Sequence, residues 1–198
     1  MKKLLMATLF LSSLMSAVQT KADDISLGIP GYGGNGCPGG SASITLSPDK
    51  KTLSLIFDSF IVEAGGGAPR VARKNCNIAI PVHIPQGFSV SLISADYRGF
   101  NALPSGATAK FVAEYFFAGF TGPRFEKSFY GSLNSDYFFQ NNLGVAANVW
   151  SPCGQSINLR VNTSMMVQAN YRNEYSLSTV DTADYTAGLV YHLKWMRC

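Results

Sequence analysis

The sequence predicts an all-β fold: an antiparallel β-sandwich of about 7–10 strands, with long loops and two disulfides. Three observations carry that prediction. Apolar residues recur with period two in one stretch after another. No stretch shows the 3.6-residue apolar period with caps that marks an amphipathic helix. Four cysteines, an even number, sit in a chain that opens with an export signal, and no two of them form a CxxC pair.

The elements follow in order. Lys2 and Lys3 precede an apolar run from Leu4 to Val18, and a small-residue exit follows at Thr20-Lys21-Ala22. This is the layout of a secretory signal peptide over residues 1–22. The run is shorter than the roughly 20 residues a membrane span needs, so no membrane insertion is expected after its removal. With the signal go Lys2, Lys3 and Lys21, leaving thirteen basic against twelve acidic side chains. That near-neutral balance gives a nucleic-acid partner no basic stripe to use.

Residues 23–40 form a Gly-rich leader and 41–198 a single secreted sandwich domain. Gly31, Gly33 and Gly36 spell GxGxxG, but no apolar strand precedes them and Cys37-Pro38-Gly39-Gly40 cannot open a helix. A dinucleotide site needs both, so the leader reads as a flexible lead-in stapled by Cys37. Ile44 and Leu46, then Leu53, Leu55 and Phe57, alternate around a turn at Ser47–Lys51 and predict a hairpin. Residues 63–75, with Gly65-Gly66-Gly67, Arg70, Arg73 and Lys74, read as a solvated loop.

Ile78, Ile80, Val82 and Ile84 share one face, as do Phe88, Val90 and Leu92, and Ile84-Pro85-Gln86-Gly87 between them fits a type I turn. A second hairpin is predicted there, with Pro81 marking an edge or a bulge. Further strands are expected at Phe111–Phe117, at Ile157–Val167 and at Leu189–Trp195, whereas residues 118–148 are rich in Gly, Asn and aromatics and lack clear periodicity. A small outer-membrane barrel would also alternate. The Gly- and Pro-rich leader and the cysteines fit a soluble sandwich better.

Cys37, Cys76, Cys153 and Cys198 are too widely spaced for a structural zinc site, whose ligands come in close pairs. Two disulfides are expected. Spacing does not decide their connectivity; the usual proximity of domain termini favours Cys37–Cys198 with Cys76–Cys153.

Chemistry is thinly represented. His83 and His192 fall on the faces opposite the apolar ones and have no evident partners. Asp58 and Asp96 are the best available carboxylate pair, and Asp181 with Asp184 falls short of a calcium ligand set. There is no GxSxG elbow, and paired cysteines leave no thiol nucleophile. No catalytic residue, metal ligand or cofactor is therefore assigned.

Aromatics are the more suggestive signal: Tyr115-Phe116-Phe117, Phe120, Phe125, Phe129-Tyr130 and Tyr137-Phe138-Phe139 crowd one third of the chain. Adjacent rings on a strand point to opposite faces, so some should lie outside the core. The plainer account is that most of them cover the second face of the sandwich beneath a long loop. Tyr97, Arg98, Phe100, Phe116, Tyr130 and Tyr137 are the candidate ligand surface. For the exit Asp96-Tyr97-Arg98-Gly99-Phe100, a buried ion pair and ring closing the sandwich is preferred over a ligand-facing rim.

Gly36-Cys37-Pro38-Gly39-Gly40-Ser41, Leu46-Ser47-Pro48-Asp49, Phe57-Asp58-Ser59-Phe60 and Arg73-Lys74-Asn75-Cys76 occur in that order. They are followed by Pro85-Gln86-Gly87-Phe88, Tyr97-Arg98-Gly99-Phe100, Trp150-Ser151-Pro152-Cys153-Gly154 and Trp195-Met196-Arg197-Cys198. The series resembles the secreted domain of unknown function 4360, found in bacteria and fungi, over essentially the whole mature chain. The resemblance implies export, four cysteines and an uncharacterised role, and it transfers no catalytic residue. One departure is Gly131-Ser132, standing ahead of Tyr137 where the family usually shows Gly-Pro before a Tyr.

Together these readings describe a secreted, non-enzymatic β-sandwich that binds extracellular or cell-wall glycan, or a surface protein. Its expected location is extracellular, or periplasmic in a Gram-negative source. A structural or interaction protein of the envelope or secretome is one alternative. A secreted hydrolase with an unrecognised carboxylate site is the other.

Overall fold

Alternating side chains can bury one face only if that face meets another layer, and here two antiparallel sheets meet. The computed structural model describes residues 26–48, 52–143, 150–180 and 189–198. The expected signal peptide, the turn residues 49–51 and the Asp181/Asp184 pair lie outside the described residues, and the side chain of His192 is likewise not described.

The described elements are all strands. First come β1 (Ser26–Leu27), β2 (Gly31–Gly33), β3 (Ala42–Leu46), β4 (Thr52–Phe57) and β5 (Ile61–Ala64). Next are β6 (Val71–His83), β7 (Phe88–Leu103), β8 (Thr108–Phe117) and β9 (Arg124–Tyr130). Last are β10 (Leu133–Asn142), β11 (Ile157–Gln168), β12 (Ser176–Thr179) and β13 (Leu189–Arg197). β1, β2, β5 and β12 have four residues or fewer, so the longer strands fall within the expected range.

One sheet runs β1–β6–β11–β8–β9, with β2 also on β6; the other runs β3–β4–β13–β7–β12–β5, with β10 on β7. β13 and β12 lie end to end along one side of β7, and β10 covers the other side. Every pairing among the described strands is antiparallel, which completes the predicted all-β sandwich with its two disulfides.

Between the sheets sit Ile78, Ile80 and Val82 of β6, Leu159, Val161 and Met165 of β11, and Phe111, Tyr115 and Phe117 of β8. Leu53, Leu55, Phe57, Val90 and Tyr97 face them from the other sheet. Register pairs Ile80 with Leu159 and Leu159 with Phe117, so the apolar rows continue from strand to strand.

The β3–β4 hairpin forms as expected. The predicted hairpin at Ile78–Leu92 does not: β6 and β7 belong to different sheets, and the chain between them crosses the sandwich. Both strands still point their apolar faces inward, so alternation alone cannot tell a hairpin from such a crossing. The turn also shifts by one residue, with the Phe88 amide donating to the Pro85 carbonyl (3.2 Å) and Gly87 at φ 82°. That places Gly87 at the third position, where type II geometry requires positive φ.

From Ser26 onward the leader is paired to the sheet, not a free lead-in. Its β1 pairs with Val82 and His83, and its β2 with Asn77–Ala79, covering the edge of β6. No helix follows the GxGxxG glycines, which removes the dinucleotide reading. The expected loop at 63–75 is shorter than predicted, because β6 already begins at Val71. Arg73 there donates to the Ser164 hydroxyl (2.8 Å), and Lys74 to the Ser59 carbonyl (3.3 Å).

The disulfides are Cys37–Cys76 and Cys153–Cys198, not the end-to-end pairing that terminal proximity favoured. The reason is topological. Cys37 follows the leader along β6 in one sheet, whereas Cys198 closes β13 in the other, where its amide donates to the Gly87 carbonyl (2.9 Å).

At the centre, the Tyr97 and Tyr115 hydroxyls share a hydrogen bond across the two sheets, and Asn141 Nδ2 donates to Tyr115 Oη (3.3 Å). Burial raises the Tyr115 phenol far above its ordinary 10.0, against the smaller lowering effect of those hydrogen bonds. A folded value above the unfolded one means the stabilisation is intact below about pH 10 and is lost as pH climbs through the folded value. Ultraviolet titration should therefore leave this phenol protonated until alkaline unfolding. Tyr115→Phe should remove that coupling at a cost of about 1–3 kcal/mol, because it deletes a buried hydrogen-bond partner. Ordinary titration of every tyrosine with the fold intact would refute this account.

Candidate ligand-binding face

The side chains that reach solvent on β7 are set by a bulge. Leu92 pairs with Leu193 but Ser94 pairs with His192, so β7 holds one extra residue at this point. An extra residue shifts the phase of everything beyond it. Phe88 and Val90 point inward before the bulge, and Ala95, Tyr97 and Leu103 after it. Asp96, Arg98 and Phe100 are thereby turned outward.

β10 runs beside this segment in register. Gln140 pairs with Asp96, Phe138 with Arg98, Asp136 with Phe100 and Asn134 with Ala102. Gln140 Nε2 donates to Asp96 Oδ1 at 2.8 Å, and the Arg98 guanidinium carbon lies 4.9 Å from the Phe138 ring centroid. Phe138 is 58% exposed. Phe100 is half-buried, and its amide donates to Thr179 Oγ1 (2.9 Å), which ties β7 to β12. The result is a stacked ring and guanidinium on a rigid sheet, with a carboxylate–amide pair on one side and Asp136 on the other.

The same face continues to the loop end of the sandwich. Leu177 of β12 pairs with both Ala102 and Glu63, so Glu63, Leu177, Ala102 and Asn134 form one row across four strands. Tyr175, just ahead of β12, donates its hydroxyl to Glu63 Oε1 at 2.5 Å, and the carboxylate holds that phenol above its ordinary range.

The six candidate ligand residues do not share one surface. Tyr97 is fully buried, with its ring 4.6 Å from Phe111, and belongs to the core. Tyr137 is half-buried and also points inward, donating to the Thr179 carbonyl (2.7 Å) beside Phe129. Phe116 lies half-buried on the outer face of the opposite sheet, beside Arg160, and Tyr130 is 70% exposed at the end of β9 in that same sheet. Only Arg98 and Phe100 lie together. The exit segment is not a buried ion pair, since Arg98 is exposed and Asp96 half-buried; its ring, Tyr97, does close the core.

Phe138 is the residue that sequence reasoning passed over. The signal was present in Tyr137-Phe138-Phe139, where neighbours must alternate, but the poor periodicity of the region hid which phase faces out.

Other chemistry is sparse. His83 Nδ1 lies 3.0 Å from Ser156 Oγ on an exposed groove beside β1. Asp58 lies past the end of β4, separated from β7 by β13. Among the described residues, no three His, Cys, Asp or Glu side chains gather as a metal site. Nor is any helix there long and apolar enough to cross a membrane.

Comparison with known proteins places the chain. The family model "Domain of unknown function (DUF4360)" matches residues 23–198. An "Uncharacterized secreted protein" of Arthroderma benhamiae is 34% identical over 169 residues, covering 84% of this chain and 69% of that protein. Among solved structures, TmCBM61 in complex with beta-1,4-galactotriose aligns with 85% of this chain and 88% of its own, at 8% identity and a TM-score of 0.33. A chain of infectious bursal disease virus (Gx strain) aligns over 97% of this chain and 41% of its own, at 13% identity and a TM-score of 0.27. At those TM-scores neither structural likeness carries an argument.

Proposed function

The chain belongs to the DUF4360 family of secreted proteins, and from that premise we propose that it is a non-enzymatic β-sandwich that binds glycan on the outer face of β7 and β10. The observation that supports this reading is the exposed Phe138 ring, braced by Arg98 and flanked by the Asp96–Gln140 pair and Asp136. A sugar ring has an apolar C–H face and a hydroxyl rim. An exposed aromatic on a rigid strand accepts the first, while amide and carboxylate oxygens accept hydrogen bonds from the second. Because sheet strands hold these groups, little ordering is left to be done on binding.

A hydrolase needs two carboxylates facing one another across roughly 5–10 Å. Asp96 and Asp136 sit four residues apart along paired strands, about 13 Å, on an open face. That spacing supports binding over hydrolysis.

A glycan array probed with residues 23–198 tests the reading. Covering a Phe side chain is worth about 1.5–3 kcal/mol, so Phe138→Ala should weaken any glycan bound by about ten- to a hundredfold. Absence of binding across cell-wall and matrix sugars would overturn it and leave the structural or interaction alternative.

A further inference from the structure

The geometry points to a longer site than the Phe138 platform: an extended, uncharged glycan chain that also occupies the groove under Tyr175 at the loop end of the same face. The inference rests on the glycan reading above and adds both a second subsite and a charge class.

A groove of about 420 Å³ lies where β7 and β10 meet the loops, lined by Ala102, Leu103, Pro104, Leu133, Asn134 and Tyr175. Its make-up suits a sugar unit. Leu133, Pro104 and the ring of Tyr175 supply apolar walls, and Asn134 supplies an amide. Tyr175 is 49% exposed, yet its ring is held in place. Its hydroxyl is tied to Glu63, and its base packs on Gly66, where a Cβ would come within 2.8 Å of the Tyr175 Cβ. A ring fixed at both ends is a wall already formed before a ligand arrives.

The groove and the platform are continuous. Ala102 and Asn134 lie on the same outward row as Phe100 and Asp136, and the Ala102–Asn134 pair is four residues from Arg98–Phe138. At the rise of a β-strand that separation is about 13 Å, a distance several linked sugar units bridge and a single one does not. Between the two ends the strip carries Asp136, with Asp96 and Glu63 at its limits and Arg98 as its cation, already stacked on Phe138. Carboxylates outnumber the cation. They accept hydroxyl hydrogen bonds from a neutral chain and repel a uronate or sulfated one.

The test is calorimetric titration of residues 23–198 with neutral oligosaccharides of two to six units (gluco-, galacto-, manno- and N-acetylchito- series), with oligogalacturonides as the acidic arm. Affinity for a neutral series should rise with length. Tyr175→Ala should remove about tenfold of the affinity for the longer members while leaving the disaccharide unchanged, and Tyr175→Phe should keep the wall and most of the gain. Phe138→Ala should weaken short and long members alike. Length dependence that survives Tyr175→Ala in a protein with unaltered thermal unfolding would overturn the extended site while leaving the platform standing. Acidic oligomers bound as tightly as neutral ones would overturn the charge class. Failure of every series to bind would overturn this inference together with the reading beneath it.

Discussion

Replacing Cys37 and Cys76 together by alanine should lower the unfolding free energy by about 4 kcal/mol, the chain-entropy value for a loop of this length. The bridge spans 39 residues, and both cysteines are fully buried. It also has a specific mechanical task. Upstream of Cys37, the leader holds the β6 edge with the two residues of β1, the three of β2 and a few hydrogen bonds at Gly28, Asn35 and Gly36. Short edge strands of that kind are weak by themselves, so losing the staple should also free the leader. The urea midpoint of the non-reduced variant measures the first effect, and exchange of the Gly28 and Gly36 amides, which donate to the Pro81 and Asn75 carbonyls of β6, the second. A loss under about 1 kcal/mol would mean the leader is held without its staple.

The second bridge spans 45 residues and by the same relation contributes about as much, but Cys153 and Cys198 are exposed. Thiol exchange requires the attacking thiolate to reach sulfur. Mild reductant followed by differential alkylation should therefore label Cys153 and Cys198 first, and labelling of Cys37 and Cys76 ahead of them would contradict the placement of the leader.

How much of this was legible in the sequence can be judged from particular residues. The inward rows on β4, β6, β8 and β11 follow the period-two pattern directly, because each of those strands keeps one phase from end to end. Alternation says nothing about which sheet a strand joins, so the crossing at Pro85–Phe88 reads as a hairpin. It also cannot reveal a bulge. The extra residue in β7 reverses the faces of Tyr97 and Arg98, and with them the division between core and candidate site. The Tyr97-Arg98-Gly99-Phe100 motif acquires its meaning only in three dimensions. A Cβ on Gly99 would stand 2.2 Å from the Thr179 carbonyl oxygen and 2.6 Å from the Tyr137 hydroxyl, so this glycine lets β12 and Tyr137 close against β7. The poor periodicity of residues 118–148 has a physical origin as well. β9 and β10 lie at the borders of two different sheets, and only their inner faces need to be apolar.

Those inner faces carry the second large expectation: Phe139→Ala should destabilise the domain by about 3 kcal/mol or more, within the range for truncating a packed phenylalanine. The Phe139 ring centroid lies 5.2 Å from Tyr97, 5.4 Å from Phe125, 5.5 Å from Tyr137, 5.6 Å from Phe111 and 6.3 Å from Phe129. Three of these partners come from β8 and β9 of one sheet and a fourth, Tyr97, from β7 of the other, so Phe139 joins the sheets where no backbone ladder links β9 to β10. Aromatic pairs contribute about 0.5–1.5 kcal/mol each beyond area burial, and truncation would weaken several at once. Phe139→Leu should recover most of the loss by refilling the space. Its neighbour provides the control. Phe138 points the opposite way, and Phe138→Ala gives up one exposed cation–π contact, about 0.5–1 kcal/mol. Denaturant unfolding and glycan titration of the two variants should therefore separate: Phe139→Ala loses stability, whereas Phe138→Ala keeps its fold and loses ligand. A Phe139→Ala variant as stable as the parent would mean that β9 and β10 do not close the sandwich through these rings. The outward phase assigned to Phe138, and the binding face built on it, would then fail with it.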